Sequence, residues 1–88
     1  MSMVLAYGKN MKELHESYTK QINEMIFDLL ENLEYEVERT NDGAKKLMTK
    51  LKNEGKKITI TETNRRLTAG KLNICYSCDV EIKLLGGE

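Results

Sequence analysis

The sequence predicts an α+β fold, and three observations carry that prediction. Over residues 72–84 every even position is apolar (Leu72, Ile74, Tyr76, Cys78, Val80, Ile82, Leu84), while the odd positions are mostly polar. Side chains alternate between the faces of a strand, so this run reads as a long strand with one dry face. Over residues 11–33 the apolar positions step instead by threes and fours, the period of an amphipathic helix. Between the two, Ile58 and Ile60 stand among Thr59, Thr61 and Thr63, a β-branched run typical of strands. The expected architecture is a long amphipathic N-terminal helix, a short second helix and a small antiparallel sheet with a C-terminal β-hairpin, as a single domain over 1–88.

Taken in order, Met3, Leu5 and Tyr7 alternate, which suits a short strand or an arm laid against the core. Asn10 followed by Glu13 has the spacing of a capping box and predicts a helix starting at Met11. Its apolar stripe runs through Leu14, Tyr18, Ile22, Ile26, Leu29, Leu30 and Leu33. Tyr35, Val37 and Arg39 alternate as a strand would, but glutamates at 34, 36 and 38 favour helix, so the helix is expected to reach about Arg39. Asn41-Asp42-Gly43 are turn formers and should break it. A second helix is expected over 44–53, burying Leu47, Met48 and Leu51 and ended by Gly55.

A strand over 57–63 and a loop over 64–71 then lead into the long strand. The first of these strands is the shorter, so 80–84 should lack a partner in the hairpin. An exposed apolar edge invites pairing with another chain. Together with the length of the first helix, this predicts a homodimer.

Composition narrows function mostly by exclusion. The chain has 88 residues, no Pro, no Trp, five Met and equal numbers of basic and acidic groups, a globular composition. No apolar run approaches the about 18 residues of a membrane span, and the N-terminus lacks the basic region of a signal peptide. Two cysteines without an export signal fit a reducing, cytoplasmic address. The charge is unevenly placed. Residues 1–42 are acidic on balance, 43–71 strongly basic and 72–88 mildly acidic.

Cys75 and Cys78 form a CxxC, which elsewhere marks a redox pair or half a zinc site. Three residues apart in a strand, they point to opposite faces with Cα atoms about 10 Å apart, beyond the roughly 7 Å reach of a disulfide. Zinc wants four ligands, and His15 is the only histidine. No hydroxyl residue is spaced with a base as a nucleophile would be, and no phosphate-binding glycine loop is present. Neither a cofactor nor a metal is expected, and an enzyme is disfavoured.

The basic segment 43–71 is the main functional feature. Lys45, Lys46 and Lys50 on the second helix, with Arg65, Arg66 and Lys71 in the following loop, form the candidate contact set for a partner or a nucleic acid. No aromatic residue interleaves with them, which argues against a stacking platform for single strands. Because the chain as a whole is neutral, the favoured expectation is a small non-catalytic protein-binding regulatory module. Such a module would be an inhibitor or adaptor of the compact kind that viruses and mobile elements encode. The alternative is a small regulatory nucleic-acid-binding protein that grips phosphates with the basic segment.

Overall fold

A computed structural model of the chain describes residues 2–86. The fold is α+β: β1 (Ser2–Gly8), α1 (Met11–Asn32), α2 (Asn41–Asn53), β2 (Lys56–Ala69) and β3 (Ile74–Gly86). The strands form one antiparallel sheet in the order β1-β3-β2, so the last strand is the central one. The chain divides into two compact units. One comprises residues 2–22 and 61–81, the other residues 23–60 and 82–86. Buried apolar side chains include Val4, Ala6, Leu14, Ile22, Cys78 and Val80 in the first, and Ile26, Phe27, Leu30, Ala44, Leu47 and Leu51 in the second.

In the first unit the register pairs Val4 with Cys78, Ala6 with Tyr76 and Gly8 with Ile74. Directly paired residues share a face, so the small residues of β1 lie on the inner row. The larger alternating set lies on the outer face, with Met3 65 % and Tyr7 54 % exposed. Proximity explains this inversion. Only Lys9 and Asn10 separate β1 from α1, and the helix returns so closely that a Cβ on Gly8 would stand 2.3 Å from the Leu14 amide nitrogen.

The predicted start of α1 is as expected: the Glu13 N–H donates to Asn10 Oδ1 at 2.9 Å. The Glu13 carboxylate reaches back to the Lys9 N–H at 3.0 Å, one residue earlier than in the usual box. The predicted end is wrong, because α1 stops at Asn32 and residues 35–39 are neither helix nor strand. Glu34 turns left-handed (φ 68°), its N–H bonds the Glu31 carbonyl at 3.0 Å and the Tyr35 N–H bonds the Leu30 carbonyl at 2.9 Å. Those two bonds make a Schellman termination built on a glutamate where glycine is usual.

Asn41-Asp42-Gly43 do not break a helix; they are the first turn of α2. Thr40 is the cap, its hydroxyl accepting from the Gly43 N–H at 2.9 Å. Gly43 is buried so close to the preceding chain that a Cβ would lie 1.9 Å from the Glu38 carbonyl oxygen. Gly55 ends α2 as predicted, left-handed at φ 76° with its N–H on the Lys52 carbonyl.

β2 is twice the predicted length. Residues 64–69 continue the strand instead of looping, and the hairpin turn is confined to residues 70–73, with the Gly70 N–H on the Asn73 carbonyl at 2.8 Å. The sequence hides this because Asn64 is left-handed (φ 53°) inside the strand, as at a β-bulge. Glu62 points to the inner row with Tyr76, whereas Asn64 reaches Asp79 Oδ2 at 2.7 Å on the other row. The bulge thereby breaks the alternation. In the second unit, the Thr59 hydroxyl donates to the Lys83 carbonyl at 3.4 Å, so β2 runs beside 80–84. The missing hairpin partner, one ground for expecting a dimer, is therefore supplied within the chain. β3 starts at Ile74, leaving Leu72 in the turn and exposed; of the even-numbered row only Cys78 and Val80 are fully buried.

Candidate functional site

The six predicted contact residues fall into two sets. Lys45, Lys46 and Lys50 lie on α2 in the second unit, whereas Arg65 and Arg66 on β2 and Lys71 in the turn belong to the first. The placement of Arg65 and Arg66 in a loop is thus corrected: both are strand residues.

In the second unit Lys45 is exposed, whereas Lys46, Lys50 and Lys56 have aromatic or acidic neighbours. The Lys50 ammonium lies 5.6 Å from the centroid of the Tyr35 ring, and that of Lys56 lies 5.5 Å from it. Lys56 also donates to the Tyr35 hydroxyl at 2.8 Å and pairs with Glu54 at 3.4 Å, contacts that hold its ammonium above the ordinary lysine value. Lys46 and Lys50 share the wall of a cavity of about 370 Å³ with Glu36 and Glu38. Arg39, outside the predicted set, is held by Glu24 at 2.5 Å, Asp28 at 2.8 Å and also Glu31, all on α1.

In the first unit Arg65, Arg66 and Lys71 are all exposed. Interspersed with them are two bare leucines, Leu67 at 59 % and Leu72 at 83 % exposure. The free end of the β2–β3 hairpin is therefore both cationic and apolar.

A second arrangement in that unit escaped the sequence reading. Met11, Leu14, His15 and Tyr18 follow one helix face, and with Glu62 of β2 and Tyr76 of β3 they line a cavity of about 270 Å³. Three donors converge on Glu62 Oε2: the Tyr18 hydroxyl, the Tyr76 hydroxyl at 3.4 Å and the Cys78 thiol at 3.6 Å. The tyrosine rings meet edge to face, centroids 5.8 Å apart and planes at 67°. Burial, reinforced by the adjacent Glu62 carboxylate, pushes the Tyr18 and Tyr76 phenols and the Cys78 thiol above their ordinary values. Groups held protonated in this way are weak nucleophiles near neutrality.

One sequence signal pointed to this cluster: Glu62 continues the Ile58, Ile60 row, placing a carboxylate where an apolar residue would be expected. Cys75 and Cys78 lie in unbroken strand as free thiols, one half-buried and the other buried. Among the described residues no three His, Cys, Asp or Glu side chains gather as a metal site, and no helix is long and apolar enough to cross a membrane. No family model, curated protein or solved structure matches the chain.

Proposed function

We propose that this chain is a small non-catalytic protein-binding module, an inhibitor or adaptor, which engages its partner with the free end of the β2–β3 hairpin. The observation that carries this reading is the mixture of exposed Leu67 and Leu72 with Arg65, Arg66 and Lys71. Phosphate binding needs the cations but gains little from bare leucines, whereas a protein interface uses an apolar centre with a charged rim. The partner chemistry that fits is an apolar recess bordered by carboxylates, which the three cations would steer into register. Lys46 and Lys50, set beside their own glutamates and Tyr35, are less suited to a phosphate backbone. Two free thiols support a reducing, cytoplasmic setting for such a module.

The test compares the wild type with two double variants, Arg65→Glu/Arg66→Glu and Leu67→Ser/Leu72→Ser. Each is assayed for partner capture by cross-linking and for oligonucleotide binding by fluorescence anisotropy at two salt concentrations. The proposal expects the same captured species to be lost with both variants. Salt-sensitive oligonucleotide binding that the arginine variant abolishes and the leucine variant preserves would replace it with a nucleic-acid function.

A further inference from the structure

We infer that the cavity between Tyr18, Glu62 and Tyr76 is a binding site for an ammonium group carried on an unbranched alkyl chain. The inference is independent of the hairpin surface and goes beyond the proposed module function.

The argument begins with an imbalance of charge. Glu62 is only partly exposed, and the three groups that donate to it are two phenols and a thiol, all neutral. His15 lines the same cavity, but its ring contacts Thr19, and no ion pair among the described residues reaches Glu62, so a carboxylate taken partly out of water remains short of a counter-charge. All three donors meet Oε2, which leaves Oε1 to accept from a ligand. The cavity of about 270 Å³ has several times the roughly 30 Å³ share of one water molecule, room for an alkyl chain as well as its head.

Ligand chemistry follows from the walls. Met11 and Leu14 supply an apolar path for methylene groups, His15 lines the same wall, and Glu62 carries its negative charge where the two phenol hydroxyls meet. An ammonium head satisfies the carboxylate by charge-assisted hydrogen bonding, with the phenol oxygens beside it as further acceptors. Anionic ligands are repelled by Glu62, and a neutral alcohol of the same length lacks the charge the site is short of. Two sources carry this chemistry: a lysine side chain presented by a protein, and a free alkylamine.

Both sources can be tested on the intact chain at neutral pH by following amide resonances during titration. The probes are n-butylammonium, a lysine blocked at both its amino and carboxyl ends, and n-butanol as the neutral isostere. The site predicts saturable shifts centred on Tyr18, Glu62 and Tyr76 with n-butylammonium, and affinity about tenfold weaker or worse for Glu62→Gln, which removes a charge-assisted bond. Leu67→Ser/Leu72→Ser should leave the titration unchanged, which separates this inference from the hairpin proposal. Equal response to blocked lysine assigns the site to a protein lysine; response to n-butylammonium alone assigns it to a free amine. If n-butanol binds wild type as well as n-butylammonium does, the cavity is merely apolar and the inference fails, whether or not Glu62→Gln folds.

Discussion

Gln21 holds Leu5 by both of its backbone groups: Oε1 accepts from the Leu5 N–H at 3.1 Å, and Nε2 donates to the Leu5 carbonyl at 2.7 Å. The Ser17 hydroxyl accepts from the Tyr7 N–H at 3.4 Å along the same margin. β1 is an edge strand, and its outward polar groups are the usual template for pairing with another chain. A carboxamide that presents one acceptor and one donor imitates a neighbouring strand at that point. The prediction is that Gln21→Leu loses about 1–2 kcal/mol, the net worth of two hydrogen bonds, and self-associates through the uncovered edge. Gln21→Glu keeps the acceptor but not the donor and should fall between. Urea denaturation with light scattering measures both effects.

Glu34 and Gly43 should respond in opposite directions to exchanges between glycine and a side-chain residue. Glu34 occupies a left-handed conformation that glycine adopts freely, so Glu34→Gly should stabilise the protein by about 0.5–1 kcal/mol despite a looser unfolded chain. Gly43→Ala drives a methyl into the Glu38 carbonyl, backbone that cannot swing away, and should cost about 2–3 kcal/mol. Thermal unfolding of the two variants beside the wild type decides both.

Arg39 concentrates three carboxylates of α1 around one guanidinium. Without it Glu24, Asp28 and Glu31 repel one another, because residues three, four and seven apart share a helix face. Arg39→Gln should lower the melting temperature at low ionic strength. The gap from wild type should narrow at about 1 M salt, where the Debye length falls to about 3 Å. A gap independent of salt would mean that the guanidinium acts through its packing on Phe27, whose ring centroid lies 5.7 Å away.

The raised Tyr18, Tyr76 and Cys78 values have a defined consequence at alkaline pH. Each folded group keeps its proton where the unfolded chain has begun to lose it, so the unfolded state binds fewer protons and stability falls as pH rises. The contribution is whole below the unfolded values and erodes from about pH 8.5 for the thiol and about pH 10 for the phenols. Denaturant midpoints on either side of pH 10 should drop for wild type and drop less for Tyr18→Phe. In the native state, iodoacetamide should modify half-buried Cys75 well before buried Cys78.

How much of this was legible depended on whether the signal lay in side-chain type or in backbone conformation. The capping residues Asn10 and Glu13, the even-numbered row of β3 and the terminating Gly55 are choices of residue, and each could be read directly. The end of α1 and the length of β2 turn on Glu34 and Asn64 adopting positive φ, and a glutamate announces no such thing. The turn formers at 41–43 misled because a capped first turn accepts the same residues as a break; the informative residue was Thr40. The Glu62 cavity needed three distant segments brought together, and only the interruption of the Ile58, Ile60 row hinted at it. The exposed leucines of the hairpin end were obscured by placing Leu67 in a loop and Leu72 in the dry row.

The strand order also sets a timetable. β3 occupies the middle of the sheet but is synthesised after every other element, and Ser2 must find Val80 while Gly8 finds Ile74. A nascent chain therefore carries β1 past α1, α2 and β2 with its eventual neighbour still unmade. The grip of Gln21 on Leu5 is local and can form as soon as α1 has left the ribosome. In the folded protein that grip occupies one margin of the first strand, and β3 takes the other.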